Sequence, residues 1–342
     1  MAKCIGVKNI SMPPIPAPRP IWDALLAWYA AQGRDLPWRH TRDPYAILVA
    51  EIMLQQTQVE RVLPKYQAFL LAFPTFADLA AAPTEAVIRA WVPLGYNQRA
   101  VRLQGIARAI TTQHAGHMPT TIDGLLTLPG VGRYTAGAIA CFALGQAVAT
   151  VDTNIRRVLT RIFIGDLSAA AASTAKADIA LALAESVLPP TAEEAYAWNQ
   201  ALMDLGATVC VARTPACERC PLAAQCHTFA QLQHYTLFPT GAILHMLQTR
   251  QIAENPAPYA VKKATPPQPF KTSNRYFRGR VVAALHDLPA LAALDLATLG
   301  PLVKPEFTSN DVDWLRGVIG GLVRDGLAIW VDAHQTQVAL PR

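Results

Sequence analysis

The sequence predicts an all-α protein, and three observations support that prediction. Through residue 230, apolar residues recur at helical spacing, whereas strand-like alternation is weak or absent. Glycines and prolines separate these segments, as expected for the ends of helices. A Gly-rich turn over residues 129–132 precedes small and apolar residues that fit a buried helix. We therefore expect helices packed on helices rather than a sheet.

Composition limits the class of protein. The chain has 342 residues, enough for two domains or more, and 52% of them are hydrophobic, so a large core is available. The net charge of +6 is compatible with a polyanionic partner without proving one. Five prolines among the first 20 residues argue against a signal peptide. The most apolar stretch, 134–151, is interrupted by glycine and glutamine, which favours a buried helix over a membrane span. We expect an intracellular, cytoplasmic protein with no membrane partner.

The elements follow in chain order. Residues 1–18 are expected to form a disordered leader. Helices are predicted over the ranges 21–31, 45–55, 58–72, 76–82, 84–92, 97–114, 154–163, 172–187 and 192–206, with a helix of small residues from 135. Residues 239–273, rich in proline and lysine, have the composition of a linker. Two helices (276–288 and 311–325) and a strand hairpin (327–331 and 335–340) then predict a winged-helix-like domain over 274–342.

The turn Pro129-Gly130-Val131-Gly132 is a candidate anion site. Its glycines permit positive φ and close backbone approach, and free N–H groups at the start of a helix can hold a phosphate. The alternative is a simple connection between two helices. Asp152 and a basic helix with Arg156, Arg157 and Arg161 come next, which favours a nucleic-acid backbone as the ligand. Asp152 is also expected to be a helix N-cap, a role compatible with catalysis.

Glu51 is the one acid in the mostly apolar stretch 45–54, with no basic residue three or four positions away. The default interpretation is a surface glutamate. A buried carboxyl would instead have a raised pKa and suit a proton donor. Tyr96 is either a core residue or an aromatic wedge aimed at a base stack, and the sequence favours the core.

Four of the six cysteines, at 210, 217, 220 and 226, follow the spacing C-x6-C-x2-C-x5-C. Four thiolates in one loop hold a [4Fe–4S] cluster or a zinc ion. The alternative, four buried thiols, is disfavoured by their concentration in one short loop.

Residues 36–226 resemble the adenine DNA glycosylases of the MutY type, within the endonuclease III superfamily. The resemblance is carried by Leu36-Pro-Trp-Arg39, Glu51-Ile-Met-Leu-Gln-Gln-Thr-Gln-Val59, Gly95-Tyr96, Leu128-Pro-Gly-Val-Gly-Arg-Tyr-Thr-Ala-Gly-Ala-Ile139, Val151-Asp-Thr-Asn154, Asn199-Gln200, Asp204-Leu-Gly206 and the four cysteines. It implies a helix–hairpin–helix fold over 19–238. A six-helix barrel module (about 35–151) would face a cluster module (about 19–34 plus 152–235). The cysteines would hold [4Fe–4S], a structural and DNA-contacting group.

The resemblance also implies a reaction: hydrolysis of the N-glycosidic bond of a flipped adenine mispaired with 8-oxoguanine or guanine in double-stranded DNA. Glu51 would protonate adenine N7, Asp152 would stabilise or trap the sugar cation, and Tyr134 and Asn154 would support them. The adenine pocket would be lined by Leu36, Trp38, Arg39 and Gln200. Gln56 and Tyr96 would enter the stack, and the hairpin residues Gly130, Val131, Gly132 and Arg133 would hold phosphates. A monomer is expected.

The chain departs from the family pattern at several positions. Bifunctional members carry a lysine nucleophile where this chain has Tyr134, so we expect base removal without efficient strand cleavage. Thr153 replaces the usual glycine, and Asn97 replaces a second aromatic residue. Residues 274–342 are too short for the family's Nudix-like domain. Selection for 8-oxoguanine would then rest on the core, chiefly Gln56 and Tyr96.

Two alternative functions remain open at this point. One is a thymine or uracil mismatch glycosylase on the same scaffold. The other is a non-catalytic iron–sulfur DNA-binding regulator, which the presence of both Glu51 and Asp152 disfavours. Arg275, Arg278 and Arg280, at the start of the C-terminal domain, would add non-specific DNA affinity or form a solvated helix end.

Overall fold

The computed structural model describes residues 18–165, 174–236 and 270–342. The predicted leader, apart from Pro18, and most of the predicted linker lie outside these ranges. The chain divides into two compact units. We name the first, Pro37–Ala136 with Tyr259–Arg342, the hairpin unit, and the second, Met1–Leu36 with Gly137–Pro258, the cysteine unit. The predicted module boundaries stay predictions.

The first part of the hairpin unit is helical. It contains a 3-10 turn at Pro37–Arg39, then α2 (Pro44–Leu54), α3 (Val59–Ala72), α4 (Phe76–Ala81), α5 (Thr84–Trp91), α6 (Gln98–Gln113), α7 (Ile122–Leu126) and the first turn of α8 (Arg133–Phe142). Short polar side chains start several of them. The Asp43 carboxylate accepts hydrogen bonds from the N–H groups of Tyr45 (3.0 Å) and Ala46 (3.3 Å), and Pro44 occupies the first position of α2. Every residue of α2 from Tyr45 to Met53 is buried, so α2 runs through the core of this unit.

The cysteine unit is also helical in its described residues. It contains α1 (Arg19–Gln32), the rest of α8, α9 (Thr153–Leu159) with a π-helical turn at Thr160–Ile164, α10 (Thr174–Ser186), α11 (Ala192–Thr208), 3-10 turns at Cys217–Arg219 and Ala223–Gln225, and α12 (His227–Thr236). Its core includes Leu25 of α1, Val158 of α9 and Trp198 of α11. Asp204 of α11 accepts hydrogen bonds from the backbone N–H (2.8 Å) and Nε (2.7 Å) of Arg34, which holds the end of α1 to α11.

The C-terminal part of the hairpin unit has the element order of a winged helix. It comprises α13 (Asn274–His286), β1 (Ala293–Asp295), α14 (Leu296–Val303), α15 (Val312–Arg324), β2 (Ile329–Trp330) and β3 (Gln337–Ala339). The strands form an antiparallel sheet in the order β1-β3-β2. The predicted helices and hairpin are confirmed. β1 and α14 were not predicted, because β1 has only three residues and α14 begins directly after it and contains Pro301.

The all-α prediction holds for the described residues before position 237, where all regular structure is helical. None of the helices in the described part of the chain has both the length and the hydropathy needed to span a bilayer.

Candidate active site

The Gly-rich segment forms a tight turn between α7 and α8. The N–H of Val131 donates to the carbonyl of Leu128 (3.1 Å), with Pro129 and Gly130 between them. Gly130 has a φ of 77°, so the turn has the proline and the left-handed glycine of a type II turn. A Cβ at Gly130 would lie 2.4 Å from Cδ of Arg102 on α6, so the Arg102 side chain would have to move, and the left-handed φ would strain any other residue. Gly132 also permits a positive φ, but it is not among the described glycines that adopt one.

The first turn of α8 follows this hairpin directly. Gly132 and Arg133 are exposed, and no atom lies within 4 Å of the position that a side chain at Gly132 would occupy. The N–H groups of the first turn of a helix have no partner within the helix. A phosphate could therefore approach this turn closely, which agrees with the predicted role of residues 130–133. Tyr134, the next residue, is half-buried.

Glu51 lies near the end of α2, where only 7% of it is exposed. Its neighbours Ala50 and Ile52 are buried as well. The default interpretation of Glu51 as a surface glutamate is therefore wrong, and the alternative of a buried carboxyl group is confirmed. The predicted proton donor is therefore a buried carboxyl group.

Asp152 lies in the cysteine unit and is the N-cap of α9. Its Oδ1 accepts from the N–H of Ile155 (2.7 Å), and its Oδ2 accepts from Nδ2 of Asn154 (3.1 Å). Burial raises the pKa of Asp152 above its ordinary value, while these hydrogen bonds and the charge of Arg157 act in the opposite direction. The capping role is confirmed, and it holds the carboxylate in one orientation.

Arg157 continues this network. From the sequence it was known only as one of three basic residues on the predicted helix. Its Nη2 donates to Oδ1 of Asn154 (2.9 Å) and to the carbonyl of Gly206 (2.7 Å). Its Nε donates to the carbonyl of Cys210 (2.9 Å). One chain of hydrogen bonds therefore runs from Asp152 through Asn154 and Arg157 to the first cysteine. The only sequence signal is the spacing of Asn154 and Arg157, which places them on one helix face.

Gly206 explains the predicted importance of residues 204–206. A side chain there would place its Cβ 2.9 Å from Cβ of Asn154, closer than real Cβ atoms approach. Helices α9 and α11 therefore meet at a contact that only glycine permits. The neighbouring Asn199 is also fully buried. It accepts from the N–H of Thr150 (3.1 Å) and donates to the carbonyl of Val148 (2.9 Å), which anchors the segment leading to Asp152.

The four predicted cysteine ligands line one cavity of about 460 Å³, a volume that includes the space open to solvent. Arg161 closes one side of it, donating from Nη1 to Sγ of Cys210 (3.4 Å) and to the carbonyl of Val211 (2.8 Å). Burial raises the pKa of Cys220 to about 11, and it also raises the pKa values of Cys217 and Cys226. The positive charge of a bound metal would offset this burial and allow the thiolates to form.

These residues fit an iron–sulfur cluster. Four cysteines around one cavity provide the complete ligand set of a [4Fe–4S] cluster. When bound, the cluster would cross-link the 210–226 loop.

Gln56 and Tyr96 share an unusual backbone conformation in the hairpin unit. Their φ angles are 56° and 48°, in the left-handed region that residues other than glycine rarely adopt. Both side chains are exposed, with 39% of Tyr96 accessible, so the expectation that Tyr96 is a core residue is wrong. Strained residues of this kind persist where the surrounding structure holds them, and they cluster at functional sites.

Arg99 is the residue that holds both of these loops, and sequence reasoning missed it. Its Nη1 donates to the carbonyls of Ile52 (3.0 Å), Met53 (2.9 Å) and Gln55 at the end of α2. Its Nη2 donates to Oγ1 of Thr57 (2.9 Å) and to the carbonyl of Gly95 (3.1 Å). One buried guanidinium therefore connects the Gln56 loop to the Tyr96 loop. Burial lowers the pKa of Arg99 to about 10, so it is charged at neutral pH.

The predicted adenine-pocket residues fall in both units. Trp38 is buried in the hairpin unit, with its ring edge-on to Tyr66 at 5.3 Å, and Arg39 is half-buried beside it. Leu36 and Gln200 are buried in the cysteine unit. The pocket itself stays a prediction, as does the pairing of Glu51 with Asp152.

A helix–hairpin–helix protein with an iron–sulfur site is the class that this architecture defines. Comparison with known proteins agrees. The model of the HhH-GPD superfamily base excision DNA repair protein matches residues 49–180. That of the iron-sulfur binding domain of endonuclease III matches residues 210–226.

Individual relatives of this chain agree with the two family models. An adenine DNA glycosylase of Mycobacterium tuberculosis is 49% identical over 212 residues, which are 61% of this chain and 68% of the relative. The human adenine DNA glycosylase is 40% identical over 68% of this chain and 43% of its own length. The solved structure of a thermostable thymine-DNA glycosylase is 33% identical, with a TM-score of 0.58 over 63% of this chain and 97% of that one.

The chain therefore belongs to the HhH-GPD superfamily of base excision DNA repair proteins. It is a DNA glycosylase, its partner is DNA, and its four cysteines bind a [4Fe–4S] cluster. The predicted fold, enzyme class and cofactor are confirmed, and the alternative of a non-catalytic regulator is not.

Proposed function

We propose that this glycosylase removes adenine mispaired with 8-oxoguanine or guanine, by hydrolysing the N-glycosidic bond of the flipped base. The geometric observation that carries the proposal is the Asp152 carboxylate, held by the N–H of Ile155 and by Asn154. Such a carboxylate suits the stabilisation of a sugar cation. The similarity to adenine DNA glycosylases supports adenine as the base.

The proposed reaction assigns two different tasks to two carboxyl groups. Glu51, buried on α2, donates a proton to adenine N7 and makes the base a better leaving group. The C1′–N9 bond then breaks, and the sugar becomes an oxocarbenium ion. Asp152 stabilises that ion or bonds to it until water adds. Asn154 orients Asp152 through the 3.1 Å hydrogen bond, and Tyr134 supports the two carboxyl groups.

The substrate must leave the duplex before this chemistry. We propose that Gly130, Val131, Gly132 and Arg133 hold phosphates while Gln56 and Tyr96 enter the stack. Leu36, Trp38, Arg39 and Gln200 line the pocket for the flipped adenine. Since Tyr134 carries a phenol rather than an amine, no Schiff base forms at this position and the abasic strand stays intact. We also propose that the enzyme acts as a monomer in the cytoplasm.

Single-turnover base release tests this function. The duplexes carry adenine opposite 8-oxoguanine, adenine opposite guanine, and thymine or uracil opposite guanine. Each product is analysed with and without alkali. We expect adenine release that becomes a strand break only after alkali. Prompt nicking at neutral pH would contradict the role of Tyr134, and release of thymine but not adenine would favour the function named for the solved relative.

A further inference from the structure

The C-terminal domain, residues 270–342, is built onto helix α5 of the same unit. Glu85 and Arg89, one turn apart on α5, form an ion pair of 2.6 Å. Arg89 donates to the backbone carbonyls of His286 and Pro289 (3.3 Å for Pro289), and Glu85 accepts from the N–H of Leu291 (3.2 Å). Glu85 is only 5% exposed, so this is a buried, satisfied anchor at the end of α13.

Apolar packing surrounds this anchor. Ile88 of α5 is fully buried and belongs to the same cluster as Val281 and Leu285 of α13 and Leu322 of α15. Gln98 at the start of α6 donates to Asp325 (3.3 Å), at the end of α15. The domain is therefore attached beside the loop 92–97, which carries Tyr96.

The three arginines at the start of α13 are engaged within this unit. Arg278 pairs with Asp325, and Nε of Arg280 donates to the carbonyl of Leu302 (2.9 Å). Arg275 lies over the ring of Tyr96, with its guanidinium carbon 3.9 Å from the ring centroid. The sequence suggested a solvated helix end or a set of phosphate contacts for these arginines. Neither role accounts for their contacts with groups of the same unit.

Tyr96 is therefore held from more than one side. Arg275 covers its ring at 3.9 Å, and the guanidinium carbon of Arg99 lies 5.3 Å from the same centroid. Its backbone is left-handed, and Arg99 also binds the carbonyl of Gly95 just before it. An exposed aromatic side chain with so many restraints is pre-positioned, which lowers the entropy lost on inserting it into another molecule.

We propose that Arg275 is a positioning residue for Tyr96, and that the C-terminal domain acts on opposite-base discrimination through this stack. The proposal rests on the proposed function, in which Tyr96 enters the duplex at the mispair. The planar guanidinium fixes the angle of the ring, and helix α13 of the docked domain carries Arg275, whose guanidinium carbon also lies 5.7 Å from the ring centroid of Phe270. Discrimination between 8-oxoguanine and guanine would then depend on a residue that need not touch DNA.

A double-mutant cycle tests the proposal in the full chain. Single-turnover release and duplex affinity are measured for wild type, Arg275→Ala, Tyr96→Ala and the double variant, with both opposite bases. We expect Arg275→Ala to slow release about 3- to 30-fold, the range that a cation–π contact allows. The slowing should differ between the duplex with 8-oxoguanine and the duplex with guanine opposite adenine. In the Tyr96→Ala background, Arg275→Ala should have less than about a twofold effect.

Matched variants separate stacking from charge. Arg275→Lys keeps the charge without the planar group and should resemble Arg275→Ala. Tyr96→Phe keeps the ring and should stay sensitive to Arg275→Ala. Arg324→Ala removes an exposed arginine of the same domain and should behave as wild type. The salt dependence of affinity should not change in Arg275→Ala, whereas a phosphate contact would lower its slope by about 0.9.

Three results would each overturn the positioning role. They are additive effects of the Arg275 and Tyr96 variants, wild-type behaviour of Arg275→Lys, and a lower slope of the salt dependence of affinity in Arg275→Ala. Thermal unfolding of every variant identifies loss of fold, and Arg275→Lys serves if Arg275→Ala is unfolded. If the wild type released no adenine, the proposed function would fail. The affinity cycle, which needs no catalysis, would still decide the role of Arg275.

Discussion

Asp152 combines an observed helix cap with the proposed chemical role in one side chain. Its Oδ1 caps α9, and its Oδ2 is held by Asn154, so the carboxylate cannot turn away without loss of the cap. Asparagine caps a helix nearly as well as aspartate. Asp152→Asn should therefore fold normally while lacking the negative charge, which makes it a clean variant for separating the two roles.

The pH dependence of base release should show the environment of Asp152. The ionised form is the one proposed to stabilise the cation, and burial raises the pKa of this carboxyl. A larger fraction is then protonated at any acidic pH than for an exposed aspartate. We expect the single-turnover rate to fall on acidification, beginning above the pH at which an ordinary aspartate titrates. A rate that rises steadily down to about pH 4 would contradict an ionised Asp152.

At this scale the sequence predicted some residues and missed others for physical reasons. The burial of Glu51 follows from its apolar neighbours, and the cap at Asp152 follows from its place before a helix. Arg99 was missed because an arginine early in a helix resembles Arg102 and Arg108, which are exposed on the same helix. Its acceptors at the end of α2, the carbonyls of Ile52 and Met53, are more than 40 residues away, and no local pattern reports them.

At the scale of the elements, Arg99 joins the end of α2 to the start of α6. Arg99→Ala should lower the free energy of unfolding by about 2–5 kcal/mol, because buried carbonyls at the end of α2 lose their donor. It should also slow base release by releasing the Gln56 and Tyr96 loops.

Chemical denaturation followed by circular dichroism measures the first effect. Arg108→Ala, an exposed site on the same helix, is the control and should cost less than about 1 kcal/mol. Equal stability of the two variants would show that Arg99 does not hold these loops.

The close packing of α9 against α11 leads to a second prediction at the scale of the elements. Gly206→Ala would place a methyl group 2.9 Å from Cβ of Asn154, so one helix must shift. We expect a loss of about 1–3 kcal/mol in stability, together with slower release as Asn154 moves relative to Asp152.

Gly105→Ala on α6 is the matched control, because nothing lies within 4 Å of its new methyl group. It should stabilise the chain by about 0.5–1 kcal/mol through its higher helix propensity. Unfolding measurements on both variants decide the point, and a stable, fully active Gly206→Ala would contradict the close contact.

The prediction of elements succeeded where segments were long and periodic. The helices predicted at 84–92 and 97–114 are observed at Thr84–Trp91 and Gln98–Gln113. It failed at the short elements β1, α7, α12 and α14, whose three to ten residues give little periodicity. The anchor between Glu85, Arg89 and the end of α13 could not be foreseen, because its partners are about 200 residues apart.

At the scale of the whole molecule, the proposed chemistry is shared between two units. Glu51, the hairpin and the loops of Gln56 and Tyr96 belong to the hairpin unit, and Asp152 and the cysteines belong to the cysteine unit. The family comparison establishes a DNA glycosylase, whereas the sharing of one reaction between Glu51 and Asp152 is our proposal. Catalysis that requires both carboxyl groups is therefore its central claim.

Single-turnover release of adenine from a duplex with 8-oxoguanine opposite tests that claim most directly. The enzymes are wild type, Glu51→Gln, Asp152→Asn and, as a control, Glu60→Gln, which changes an exposed glutamate at the start of α3. We predict that Glu51→Gln and Asp152→Asn each slow release by roughly 100- to 10,000-fold while the duplex still binds, and that Glu60→Gln stays within about twofold of wild type. Release by Glu51→Gln at the wild-type rate, or no release of adenine by the wild type, would contradict it.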